Sequence, residues 1–191
     1  TASAPPPSSQ IIAASQNVWV VQTGDTVDVF GTAPDNTFDA FAGATHTVIV
    51  NGAEFDLSAE VRTIVIHGGP GDDVAILAGT TERELATLRP DVSIFTGADW
   101  QVRVENVGRV EVESGGGSLD RARLHDSAGN EVLVARPDEV TLTGDDFEFA
   151  AHNFIRTYTY ATAGNDFAYF YDGDGNDLYR AWQHRAILSG P

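Results

Sequence analysis

The chain contains no cysteine and no lysine. Without cysteine there is no disulfide, no thiolate metal site and no thiol nucleophile. Without lysine, all positive charge falls to eleven arginines, set against 28 aspartates and glutamates for a formal net charge of −17. Neutralising phosphates takes clustered cations, so neither nucleic-acid binding nor docking on anionic lipid is expected. No apolar run approaches the ~20 residues of a membrane-spanning helix, so membrane insertion is not expected either. Convincing helical periodicity is missing, and residues 80–88 are the best short candidate. There is no Gly-x-Ser-x-Gly elbow, no phosphate loop (GGPGDD lacks the lysine) and no His-x-x-x-His or His-Glu-x-x-His arrangement among the five histidines. No catalytic residue is assigned, and the chain is not expected to be an enzyme.

What is present points to a folded, turn-rich domain. Apolar residues make up 42% of the 191, too many for a disordered acidic tail, and 19 glycines and 8 prolines imply many turns. Residues 1–17 are expected to form a Pro/Ser-rich linker or the start of a mature secreted chain, with a single domain over 18–191.

Internal repetition is the strongest signal. RTIVIHGGPGDDVAIL (62–77), RVEVESGGGSLDRARL (109–124) and RTYTYATAGNDFAYF (156–170) align, with Arg62, Arg109 and Arg156 at steps of 47. NGAEF, TGADW and TGDDF recur with Gly52, Gly97 and Gly144 at steps of 45 and 47, and DSAGNE (126–131) returns as DGDGND (172–177) after 46. Ser189-Gly190-Pro191 falls where Thr143-Gly144-Asp145 falls one unit earlier, so the chain is expected to stop within its fourth repeat.

Within each copy the period is two. Ala75/Ala122/Ala168 and Leu77/Leu124/Phe170 stay apolar while the alternate positions vary freely, as in a strand with one face buried. The same alternation turns Thr63/Val110/Thr157 and Val65/Val112/Thr159 inward, and Arg62/Arg109/Arg156 and Ile64/Glu111/Tyr158 outward. Short strands between Gly/Asp/Asn turns at this period predict an all-β, parallel β-solenoid (β-helix) of 46–47-residue double-coil repeats, with like residues forming ladders; a β-propeller is the alternative. A solenoid end exposes unpaired backbone and an apolar cross-section. A neighbouring domain, another copy, or the N-terminal segment with Trp19 and Val20 is therefore expected to cover it.

GGPGDDVAI (68–76) fits the nonapeptide Gly-Gly-x-Gly-x-Asp-x-apolar-x, DGDGNDLYR (172–180) fits apart from its first glycine, and AGNDFAYF (163–170) fits in part. At these corners the chain resembles the calcium-binding repeats-in-toxin family of secreted bacterial proteins. The resemblance implies Ca2+ at the motif aspartates Asp73, Asp166 and Asp177. Asp172, Asp174 and Asn176 also have the alternating oxygen spacing that a hard cation takes. Turn chemistry without metal explains the same residues, since Asp, Asn and Gly tolerate positive φ.

The wider arrangement resembles the tandem repeat regions of very large secreted or surface bacterial proteins. It implies an extracellular or cell-surface, non-catalytic structural or assembly module, calcium-stabilised, with self-association or neighbouring repeats of a larger chain as partners. The alternative is a carbohydrate-binding or carbohydrate-active β-helix of the polysaccharide lyase or hydrolase kind. Extracellular glycans are its partners, with the outward aromatics Tyr158, Tyr160, Phe167, Tyr169 and Tyr171 as a platform and carboxylate pairs such as Asp72/Asp73 and Asp145/Asp146 as its acids.

Overall fold

The computed structural model describes residues 9–15, 18–31, 34–43, 45–176, 178–182 and 185–189. Among them there is no helix. The chain opens with β1 (Ser9–Ser15), β2 (Val18–Thr23) and β3 (Thr26–Gly31), antiparallel neighbours in a first sheet. It crosses to a second sheet for the antiparallel run β4 (Thr37–Phe41), β5 (Thr47–Val50) and β6 (Ala53–Asp56). From there it returns to the first sheet for β7 (Thr63–His67), crosses for β8 (Val74–Ala78), and returns for the meander β9 (Leu85–Leu88), β10 (Val92–Thr96) and β11 (Gln101–Glu105). The pattern then inverts. β12 (Arg109–Glu113) is in the second sheet, β13 (Arg121–His125) in the first, and β14 (Val132–Ala135), β15 (Glu139–Thr143) and β16 (Glu148–His152) form a meander in the second. β17 (Arg156–Tyr160) and β18 (Phe167–Phe170) follow, one per sheet, and β19 (Leu178–Trp182) pairs with β20 (Arg185–Ser189) as a separate hairpin.

Strands brought together by crossing between the sheets pair in parallel: β3–β7–β11 and β9–β13–β17 in the first sheet, β4–β8–β12–β16 and β14–β18 in the second. The result is the expected all-β β-solenoid, of about four turns; each 47-residue unit spends three strands on a one-sheet meander and so winds one and a half coils rather than the expected two. Alternation packs its interior. Val27/Val29, Ile64/Ile66, Val102/Val104, Ala86/Leu88 and Ala122/Leu124 from one sheet meet Phe38/Ala40, Ala75/Leu77, Val110/Val112 and Phe149/Ala151 from the other in one buried cluster.

Two details of the strand reading are corrected. In β7 the buried residues are Ile64 and Ile66, with Thr63 and Val65 only half-buried. The expected faces hold for Val110/Val112 and invert for this copy. The corner after β7 spans six residues and the one after β12 seven, and a one-residue slip turns a strand over. The larger Ile pair thereby takes the core.

The arginines do not form a ladder. Arg62 precedes β7 and Arg156 opens β17, both on the first sheet, whereas Arg109 opens β12 on the second. The cause is topological. A unit such as 62–108 crosses between sheets three times, after β7, β8 and β11, and an odd number of crossings starts the next unit on the opposite sheet. Successive 47-residue units are therefore related by a half-turn. Arg109 is held instead by Glu111 at 2.7 Å and Glu148 at 3.2 Å on its own sheet.

Candidate functional sites at the corners and the last coil

Three pairs of stacked crossings are tied by the same bond. The main-chain N–H that ends one corner donates to the aspartate that ends the next. Asn36 N donates to Asp73 Oδ1 at 2.8 Å, Glu84 N to Asp120 Oδ1 at 2.7 Å, and Glu131 N to Asp166 Oδ1 at 3.1 Å. Asp73, Asp120 and Asp166 are the one aspartate that every unit keeps before its alanine-containing strand. The stacked backbones nearly touch. Gly71 and Gly164 sit at φ +124° and +103°, and a Cβ there would lie 1.0 Å from Pro34 O and 1.6 Å from Gly129 O. Only glycine satisfies both conditions.

Each stack satisfies its acids differently. In the first, Asn36 Nδ2 also donates to Asp73 Oδ1 at 2.7 Å, while the buried Asp73 Oδ2 has no hydrogen-bond partner. In the second, Glu84 and Asp120 are both buried. Thr80 N and Gly115 N donate to Glu84, and Ser114 Oγ donates to Asp120 Oδ2 at 2.6 Å. Burial, with the Asp120 charge adding to it, pushes the Glu84 carboxyl above the usual range. In the third, Ser127 Oγ donates to Glu131 Oε1, and Thr162 donates through N and Oγ1 to Asp126 at 2.6 and 2.8 Å. Carboxylate oxygens of Asp126, Glu131 and Asp166 lie within 4.8 Å of one another.

Of the aspartates and the asparagine singled out by motif, Asp73 is thus buried against Asn36, and Asp166 is exposed beside Asp126 and Glu131. Asp172, Asp174 and Asn176 are exposed on the connection from β18 to β19, and Asp177 lies outside the described residues. Asp126 and Glu131 escape motif reasoning because the nonapeptide supplies only the later corner of each stack. Their signal was DSAGNE, the recurrent segment that supplies the earlier corner.

The last coil is the second feature. Inward positions of β17, Thr157 and Thr159, are half-buried where their counterparts Ala122 and Leu124 in β13 are fully buried. In β18 the inward Ala168 is exposed and Phe170 half-buried. Phe167, Tyr169 and Tyr171 are each at least half exposed on or just after β18 in the second sheet, and Tyr158 and Tyr160 are exposed on β17 in the first. Among the described residues β17 and β18 each have a strand partner on one side only. The segment with Trp19 and Val20 does not reach them. It belongs to β2, near the opposite edge of the first sheet.

Comparison with protein-family models, with curated proteins and with solved structures finds no match to this chain.

Proposed function

We propose that the chain is a non-catalytic structural module of an extracellular or cell-surface repeat protein, and that it works by continuing its stack. The next coils, from the same chain or a second copy, would pair on β17 and β18. The exposure of the inward Ala168 at the end of the second sheet carries the reading, because a coil in mid-stack buries that position completely, as at Ala75 and Ala122. Unpaired strand edges beside apolar side chains are templates for strand addition. The acidic surface suits association by backbone pairing and apolar contact better than by charge, since like copies repel.

Sedimentation of the full chain over a wide concentration range tests this. The expected result is reversible, concentration-dependent association that Ala168→Lys abolishes, because an inward-pointing charge at a sheet end blocks further pairing. A strictly monomeric chain at high concentration would overturn the reading. Retention on a polysaccharide column, lost on Tyr169→Ala while association persists unchanged in Ala168→Lys, would favour the glycan alternative.

A further inference from the structure

We propose that the third corner stack is a cation site, with Asp126, Glu131 and Asp166 as its ligands and Ca2+ as its occupant. The second stack supplies the internal comparison. Glu84 and Glu131 are equivalent, 47 residues apart, as are Thr80 and Ser127. Around Glu84 the protein provides the donors: Thr80 N and Gly115 N reach its two oxygens, and Ser114 and the Glu84 N–H reach the two of Asp120. There is no room for a third acid, because Gly79 stands at the position of Asp126 and a Cβ on it would lie 2.1 Å from Glu84 Oε2.

The third stack departs from this on both counts. Asp126 brings a third carboxylate into reach of the other two. Glu131, only 1% exposed, has an Oε2 that is buried without a hydrogen-bond partner. A buried carboxylate oxygen with no donor is a costly group to leave. Three carboxylates this close also repel, and no arginine is paired with any of them among the described residues. A divalent cation removes both penalties at once.

The donor set fixes the class of ion. Every candidate ligand is oxygen: the three carboxylates, and the Ser127 hydroxyl and carbonyl beside them, the latter accepting from Thr162 Oγ1 at 3.1 Å. Oxygen-only sets select hard cations over zinc or copper, and Ca2+ tolerates the irregular geometry of a corner better than Mg2+. Asp166 is exposed, so the ion has a route in from solvent. Bound there, it would clamp the corner before β14 to the corner before β18.

The test is calorimetric titration of CaCl2 into the chelator-treated full chain, paired with thermal melting. Calcium is expected to bind one site and to raise Tm by roughly 5–10 °C at a hundred times its Kd. Asp126→Asn and Glu131→Gln are each expected to weaken binding by about tenfold or more, since affinity follows ligand charge. Glu84→Gln should leave it unchanged. A flat titration with an unmoved Tm, or the two variants binding as tightly as the parent, would overturn the site. Should Glu131→Gln fail to fold, the half-buried Asp126→Asn decides alone. Running the titration in the Ala168→Lys background separates this outcome from that of the assembly reading.

Discussion

Phe95 and Phe170 carry the same side chain, both turned inward, in different circumstances. Phe95, on β10, is fully buried, with Trp100 edge-on at 5.1 Å and Phe154 at 6.2 Å. Phe170, at the end of β18, is only half-buried, where its counterparts Leu77 and Leu124 in mid-stack are fully buried. The middle of the solenoid and its last coil obey one sequence pattern but not one set of neighbours. In a stacked architecture each layer is stabilised mainly by the layers on either side, so what a residue contributes depends on its position along the axis as much as on its identity.

Substitution sharpens the contrast most. Phe95→Ala is expected to cost about 3–5 kcal/mol in chemical denaturation, because it leaves a cavity between two sheets that cannot collapse. Phe170→Ala, inward but only half-buried, should cost less than about 2 kcal/mol. Equal costs would mean that the last coil is as well packed as the middle. The corner aspartates come next. Asp73→Ala removes the acceptor of two Asn36 hydrogen bonds in a buried corner and is expected to cost about 2–3 kcal/mol. Asp166→Ala, exposed and accepting one main-chain bond, should cost less than about 1 kcal/mol when measured in chelator.

The smallest effect is a titration. Burial holds His46 below the usual histidine range, with its Nδ1 accepting from Gly43 N at 3.4 Å, and burial likewise lowers His125. A histidine kept neutral by the fold lets the unfolded chain take up protons first. Stability from these groups is therefore complete above pH 6.5 and lost as pH falls below it. A drop in Tm of about 2–4 °C is expected for each kcal/mol lost. His46→Gln should flatten part of that dependence, and an unchanged slope would remove His46 as its source.

The fold was largely legible because a strand period of two and a unit period of 47 occur together. What escaped was the content of the unit. Gly52, Gly97 and Gly144 marked a repeat, but they stand in the tight turns of antiparallel hairpins, closed by Gly97 N to Trp100 O at 3.1 Å and Gly144 N to Phe147 O at 2.9 Å. Asn51-Gly52, both at positive φ, is the turn pair that a two-residue hairpin favours. Each hairpin adds strands to one sheet only, which a ladder model built on the repeat period alone does not contain. The candidate cation corner was half legible. Asp166 belongs to a glycine-aspartate motif, but Glu131 acquires its meaning only when burial and an unpartnered oxygen are seen together.

The half-turn between units has a consequence for how such a chain can grow or shrink. Losing one 47-residue segment would leave every downstream side chain on the opposite flank, and whatever partner had learned one flank would meet the other. Duplication in pairs preserves the outward pattern. A binding surface along this molecule therefore comes round only every second unit, and its natural module is the double one.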